Sequence, residues 1–200
     1  MHSEPASKMT GGPHPLSATS PSLVVFTSVD GALRHGADGS CADVRPALDL
    51  LAGHGVPVVL ASHHTAAELM TLQQGPGRAH PFICDGGARM HVPNGYFADL
   101  QDLWPQDDTW HIVPLGAPDL GRAVRLLVSL FQVSGTEILT IGLGCSWHDR
   151  SLLEAVNVPV IVRSDTPAQA RLQRRIPGAY LTTAPGPAGW QEAILGSMAT

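Results

Sequence analysis

Three polar loops carry the residues of this sequence whose types suit catalysis or ligand binding. Each loop follows a short apolar run, VVF, VVL or TIGL. The residues are Ser28 and Asp30 in the first loop, Ser62, His63, His64 and Thr65 in the second, and Cys145, His148 and Asp149 in the third. Such side chains serve as nucleophiles, as general acids and bases, and as metal ligands. The chemistry is expected where these loops meet.

A serine with two candidate bases suggests nucleophilic catalysis. A serine hydroxyl attacks a substrate only when an adjacent general base takes its proton, and His63 or His64 is the candidate base for Ser28. The other interpretation is that Ser28 is a residue left after the loss of catalysis, or an inactivating substitution. The residues alone leave both interpretations open.

The third loop suggests a zinc site, because thiolate and imidazole are ligands that Zn²⁺ prefers. Cys145, His148 and Asp149 would bind it, together with a histidine of the second loop. These residues do not have the regular spacing of zinc motifs. A packed thiol and loop histidines without a metal are the alternative.

The second loop lies at the predicted start of a helix. Backbone N–H groups at such a position bind phosphate, so Ser62, His63, His64 and Thr65 are candidate phosphate- or ligand-binding residues. Thr65 also suits the role of a helix N-cap. Both roles stay open at this point.

The loops must be positioned by strands that alternate with helices. Strands are predicted in SLVVFTS, VPVVLAS, EILTIGL, VPVIV and AYLTT, and a hairpin is predicted in PFIC and ARMHVP. The segment LGRAVRLLVSLFQ is an amphipathic helix with a predicted apolar stripe of Ala123, Leu126, Leu127 and Leu130. This order predicts an α/β fold with a mainly parallel sheet and ligands at the carboxyl ends of its strands.

Composition limits the partners and the location. The net charge of −5 gives no basic surface for nucleic acid or for an anionic membrane. The three cysteines fit no disulfide framework, and no apolar run reaches the length of a membrane span or signal peptide. We expect a cytoplasmic protein with a disordered leader at residues 1–22 and one core domain at 23–200.

Five segments, in order from Leu23 to Leu195, resemble the haloacid dehalogenase superfamily and, within it, the mannosyl-3-phosphoglycerate phosphatase group. VVFTSVDGAL resembles VVFTDVDGTL, and VVLASHHTAAEL resembles the second-motif strand and helix. PFICDGGARMHVP resembles PFIxENGAxIxVP. GLGCSWHDRSLL is similar to GLGDSxNDxxML, and GPAGW to GPxGW. The resemblance implies a Rossmannoid three-layer sandwich.

The resemblance also implies the roles of two residues after the first strand. In the family, a first aspartate attacks phosphorus, a second transfers the proton, and Mg²⁺ neutralises the transferring group. Here the second is Asp30, but Ser28 stands at the nucleophile position. A neutral hydroxyl replaces neither the nucleophile nor a charged Mg²⁺ ligand.

The other motifs depart from the family pattern as well. DKGKAV is here DLGRAV, so that Leu120 stands at the position of a phosphate-binding lysine and Arg122 is a possible phosphate-binding substitute. Cys145 replaces a metal-binding aspartate, while Asp149 and the phosphate-binding hydroxyl of Ser62 are retained. The metal site at Asp149 and Cys145 is therefore degenerate. Mg²⁺ is expected only if the family's metal binding survives, and Zn²⁺ is the alternative.

The family's cap domain is predicted to be missing or minimal. Only about 40 residues separate Phe97 from Ile138, fewer than the roughly 50 of the smallest domains. The carboxyl edge of the sheet would then be open, and a homo-oligomer is a possible way to cover it.

Three functions are weighed for such a chain. The first is a degenerate relative without aspartate-based phosphatase activity that binds a small phosphorylated metabolite or a protein partner. The second is an active hydrolase with a site rebuilt from Ser28, His63 or His64, Cys145 and Asp149. The third is a structural subunit of an assembly.

Overall fold

The computed structural model describes residues 21–34, 42–73, 80–97, 110–133, 135, 137–164 and 166–199. The predicted leader, residues 1–22, lies outside this part of the chain except for its last two residues. The leader and the domain boundary therefore stay predictions. None of the described helices is both long and apolar enough to cross a membrane.

Eight strands and six α-helices follow one another along the described residues. The strands are β1 (Leu23–Thr27), β2 (Val58–Leu60), β3 (Phe82–Cys84), β4 (Arg89–Pro93), β5 (Trp110–Pro114), β6 (Leu139–Gly144), β7 (Val158–Arg163) and β8 (Tyr180–Pro185). The helices are α1 (Arg45–Gly53), α2 (Ala66–Leu72), α3 (Leu120–Phe131), α4 (Arg150–Leu153), α5 (Ala168–Arg175) and α6 (Gly186–Met198). Short 3₁₀ turns lie at Ala42–Val44, Asp85–Gly87 and Trp147–Asp149.

Five strands form a parallel sheet in the order β2-β1-β6-β7-β8. The strands β3, β4 and β5 form a separate antiparallel sheet, which a bridge between Ala61 and Ile83 joins to the end of β2. The predicted mainly parallel sheet and the predicted hairpin are both confirmed.

Alternate side chains of β1 point to two apolar cores, one on each face of the parallel sheet. Val25 belongs to the core that contains Leu51 of α1, Leu69 of α2 and Trp190 of α6. Val24 and Phe26 belong to the core with residues of α3, α4 and α5. The helices thus cover both faces, and the predicted three-layer α/β sandwich is confirmed.

The apolar stripe of α3 differs in part from its prediction. Ala123 and Leu127 are buried as predicted, but Leu126 is 39% exposed. Leu120, Val124 and Phe131 complete the buried face instead. Positions 120, 123, 124, 127 and 131 lie on one face by the helical period, and Leu130 is partly buried at the side of that face.

No connection between described elements has room for a cap domain. The longest internal stretch outside the described residues is 98–109, which links β4 to its partner β5 within one antiparallel pair. Twelve residues are far fewer than the roughly 50 of the smallest domains. The prediction that the cap is missing or minimal agrees with this architecture.

Candidate active site at the carboxyl edge of the sheet

The three polar loops meet because β1 lies between β2 and β6 in the parallel sheet. The Nε2 atom of His64, after β2, lies 2.7 Å from Oδ2 of Asp30, after β1. The thiol of Cys145, after β6, donates to the backbone oxygen of Asp30 at 3.2 Å. The predicted convergence at the carboxyl ends of the strands is thereby confirmed, with Asp30 at its centre.

Ser28 is fixed at the end of β1, but no described residue forms a hydrogen bond to its hydroxyl. Its backbone N–H donates to the oxygen of Leu143 at 2.9 Å, and only 4% of the residue is exposed. Its Oγ atom has no hydrogen-bond partner among the described residues. Neither His63 nor His64 forms the serine–imidazole hydrogen bond that a serine nucleophile needs.

Asp30 carries a carboxylate with both oxygens engaged. Arg34 Nε donates to Oδ1 at 2.8 Å, and His64 Nε2 lies against Oδ2. Partial burial alone would raise the pKa of this carboxyl group, but hydrogen bonds from Arg34 and His64 outweigh that effect and lower it. Asp30 is therefore an ionised, paired carboxylate.

His64 stands between two carboxylates. Its Nδ1 atom lies 3.4 Å from Oε2 of Glu68, on the side opposite Asp30. Glu68 is held in turn by a capping box, since the backbone N–H and the hydroxyl of Thr65 both donate to Oε2 at 2.8 Å. Thr65 thus caps α2 and orients the acidic group behind the imidazole.

The remaining candidates of the second loop take different positions. Ser62 is buried, and its hydroxyl accepts from the backbone N–H of His64 at 3.2 Å. His63 is exposed and forms an edge-to-face contact with the ring of His148, with 5.4 Å between centroids. A Cβ added at Gly86 would lie 2.8 Å from Nδ1 of His63, so that glycine lets the ring pack there.

The third loop is organised around Asp149. This buried carboxylate accepts at Oδ2 from the backbone N–H of Cys145 at 2.9 Å, and from the N–H and hydroxyl of Ser146 at 2.8 and 3.0 Å. Burial raises the pKa of Asp149, although these hydrogen bonds oppose the shift. The carboxylate of Asp149 thus stabilises the conformation of its own loop.

Cys145 joins this loop to the first one. Burial, with the nearby carboxylates Asp149 and Asp30, raises the pKa of its thiol to about 12, so the thiol stays protonated near neutral pH. The contact needs a glycine at position 31, where φ is +76° and a Cβ would lie 2.7 Å from the sulfur of Cys145. The first and third loops are thus fitted to each other.

The lysine position of the family pattern is part of the apolar core. Leu120 is 1% exposed and packs against the sheet on the face that α3 covers. Arg122 Nη2 donates to the backbone oxygens of Leu115 and Ala117, ahead of α3. The guanidinium therefore stabilises that backbone, and a phosphate-binding role for Arg122 stays a prediction.

The residues at this edge do not fit the Mg²⁺ ion of the family. Mg²⁺ needs charged oxygens in octahedral geometry, but Asp30 is ion-paired, Asp149 accepts three hydrogen bonds at one oxygen, and Cys145 presents a protonated thiol. In the described part of the chain, no three His, Cys, Asp or Glu residues form a group that suits a metal ion. The ligand set expected for Zn²⁺ is not brought together there.

Sequence reasoning missed two members of the site, Arg34 and Glu68. The signal for Glu68 was present, because threonine followed three residues later by glutamate is the signature of a capping box. Arg34 lies four residues after Asp30, but outside a helix this spacing does not predict a contact. Only the turn at Gly31 brings the two together.

Two curated relatives are named glucosyl-3-phosphoglycerate/mannosyl-3-phosphoglycerate phosphatase. The protein from Persephonella marina is 21% identical over 260 residues, and that from Methanococcoides burtonii is 23% identical over 268. Each alignment covers 86% of this chain and 96% of the relative. Since 86% of 200 residues is about 172, the alignments contain roughly 90 positions that this chain lacks. No family model matches the chain.

Solved structures show the same fold at low identity. A haloacid dehalogenase-like hydrolase from Bacillus subtilis superposes with a TM-score of 0.62 at 12% identity, over 94% of this chain and 95% of its own. One from Bacteroides thetaiotaomicron has a TM-score of 0.61 at 12% identity, over 87% and 98%. Together with the curated relatives and the strand order, these likenesses show that the chain is a relative of the haloacid dehalogenase superfamily.

Proposed function

We propose that this protein lacks aspartyl-phosphate phosphatase activity and binds a small phosphorylated metabolite at the carboxyl edge of its sheet. The observation that carries the proposal is the state of Ser28. It stands at the nucleophile position, nine-tenths or more buried, and its hydroxyl has no hydrogen bond to a base among the described residues. An unactivated hydroxyl is a poor nucleophile near neutral pH.

The rest of the machinery supports the loss of catalysis. Asp30, at the acid–base position, is ion-paired with Arg34 and held by His64. The pairing opposes a proton-transfer role, because these hydrogen bonds hold the pKa of Asp30 below its usual value. Leu120 supplies no cation to stabilise a transferring phosphoryl group.

Binding is supported by the hydroxyl, imidazole and guanidinium groups around the same edge. Ser62 is the candidate phosphate-binding hydroxyl, and the exposed rings of His63, in the same loop, and His148 contact each other. Arg34 contributes a charge that is always positive. Two relatives carry names of phosphatases for phosphorylated glycerates, which makes phosphorylated sugars and glycerates the first ligands to test.

Activity is tested by a turnover screen of purified protein against phosphorylated sugars and glycerates, with Mg²⁺ and with EDTA. We expect no turnover above that of the variant D30N. The matched control is D49N, which changes an exposed aspartate of α1. Robust turnover that D30N abolishes and D49N preserves would contradict the proposal. Turnover lost in S28A would instead support a rebuilt hydrolase.

Binding is tested by calorimetric titration with the same compounds and with inorganic phosphate. We expect saturable binding that S62A weakens by roughly tenfold, as the loss of one hydrogen bond to a charged group implies. S129A, on the exposed side of α3, is the control. If no compound binds while light scattering shows a stable assembly, the interpretation as a ligand-binding protein is replaced by that of a structural subunit.

A further inference from the structure

The cluster around Asp30 joins two loops with basic groups of the chain itself. Arg34 reaches Asp30 from the turn after β1, and His64 reaches it from the loop after β2. Arg34 Nη2 also lies 3.2 Å from His64 Nε2. The guanidinium, the imidazole and the carboxylate therefore form one contiguous group.

This group lies in a partly sheltered place. The side chain of Arg34 is 25% exposed and that of His64 is 19% exposed, although Asp30 itself is 65% exposed. Solvent screens an ion pair less when its basic partners are partly buried. The two basic side chains are thus less exposed to solvent than the carboxylate that they contact.

A divalent cation would have to displace these partners. The carboxylate oxygens of Asp30 already face Arg34 and His64, and Cys145 donates to the backbone oxygen of Asp30. Asp149 is committed to three donors of its own loop. Mg²⁺ loses its water reluctantly and requires oxygen ligands in octahedral geometry, so it competes poorly for ligands that are engaged in this way.

We propose that Arg34 and His64 take the place of a divalent cation in this protein. Arg34 neutralises Asp30, and both side chains hold the loops after β1 and β2 together, so this edge of the sheet needs no Mg²⁺ for its structure. The guanidinium of Arg34 is then the group that would contact an anionic ligand without a metal. This last step rests on the proposed ligand binding, whereas the structural step does not.

The structural step is tested on the full chain after dialysis against EDTA. Calorimetric titration with MgCl₂ and with MnCl₂ is expected to give only the heat of dilution, and neither salt nor EDTA is expected to shift the Tm. A cation that binds the native state would raise the Tm. Saturable binding of either cation, or a Tm that rises with its concentration, would overturn the proposal.

The role of Arg34 is tested with R34A beside R125A, which removes an exposed arginine of α3. We expect R34A to lower the Tm by about 3 °C and R125A to leave it unchanged, since 1 kcal/mol corresponds to about 2–4 °C in a chain of this size. Equal Tm values for the two variants would refute the idea that Arg34 holds the loops.

The ligand step uses inorganic phosphate as the probe, with and without Mg²⁺. The dissociation constant is expected to stay the same within about twofold on addition of Mg²⁺, and to rise about tenfold in R34A but not in R125A. A requirement for Mg²⁺ would overturn the step. Absence of phosphate binding under both conditions would count against the ligand step and the proposed function, while the cation titrations would still decide the structural step.

Discussion

The indole Nε1 of Trp190 donates a hydrogen bond of 2.9 Å to the hydroxyl of Thr27, across 163 residues of sequence. Trp190 belongs to α6 and is fully buried, and Thr27 is the last residue of β1. The Thr27 hydroxyl donates in turn to the backbone oxygen of Ser28 at 2.8 Å. Through these two hydrogen bonds, α6 fixes the backbone at Ser28, the nucleophile position of the family pattern.

Replacing Trp190 is expected to destabilise the protein through this contact. W190F removes the hydrogen bond and leaves space beside a smaller ring, which together cost about 2 kcal/mol of the free energy of unfolding. The measurement is urea denaturation. The control is W147F, because Trp147 is only partly buried and stacks on Arg171 at 3.7 Å. A larger loss in W147F than in W190F would contradict the anchoring role of Trp190.

The hydroxyls of Ser28 and Thr27 are neighbours, and we expect their removal to change the free energy of unfolding in different ways. Because Ser28 Oγ is buried without a partner in the described structure, S28A is expected to leave the free energy of unfolding unchanged or to raise it by about 1 kcal/mol. T27V keeps the shape but removes the partner of a buried indole N–H, so it should lower that free energy by about 1–3 kcal/mol. Denaturation of S28A and of T27V measures both changes in the free energy of unfolding. A clear destabilisation by S28A would mean that its hydroxyl has a partner in solution.

The order of elements could be predicted from the sequence because each element has a local signal. VPVIV was predicted as a strand and lies within β7, since its β-branched residues favour strands. The cap of α2 at Thr65 and the convergence of the three loops were also predictable. Helical periodicity did not fix which side of α3 is buried, as the prediction of Leu126 as a core residue shows.

The contacts of the candidate site were less predictable because they join distant parts of the chain. No local pattern pairs Trp190 with Thr27, or directs Arg34 to Asp30 rather than to solvent. The family resemblance placed Ser28, Asp30 and Asp149 at the site, yet it did not show that Asp149 is used by its own loop. Position could be predicted from the sequence, and hydrogen-bond partners could not.

Glu192 gives the stability of the protein a defined dependence on pH. Its carboxylate accepts from the backbone N–H groups of Thr183 and Ala184, each at 2.9 Å, and from the hydroxyl of Tyr180 at 2.6 Å. These bonds, with that from Thr183 as the largest cause, lower the pKa of Glu192 to about 2 from its usual 4.5. They join α6 to β8.

The variant E192Q is therefore expected to be less stable than the wild type at pH 7. A lowered carboxyl pKa stabilises the folded state fully above the unfolded value of 4.5, and this contribution is lost as the pH falls toward about 2. Urea denaturation between pH 7 and pH 3 should show the difference shrinking below pH 4.5. E137Q, at an exposed glutamate, is the control. A difference that is constant over this range would contradict the linkage.

The aspartate that the family has at position 28 should not restore a phosphatase when it is introduced alone. In S28D the new carboxylate would enter a site where Leu120 supplies no cation, Cys145 replaces a carboxylate and Asp30 is already paired. We expect no turnover of phosphorylated sugars or glycerates and a loss of about 3 kcal/mol in the free energy of unfolding, the lower end of the cost of an unpaired buried charge.

The control for S28D is S28N, which has nearly the same volume without the charge. If charge is the cause, S28N should retain more of the free energy of unfolding than S28D, and neither should bind Mg²⁺ in a calorimetric titration. The triple variant S28D/L120K/C145D restores three family residues together, and it is the first in which Mg²⁺ binding is expected. Turnover in S28D alone would show that the serine is the single defect. It would also mean that the pairing of Asp30 with Arg34 and His64 opens readily enough for catalysis.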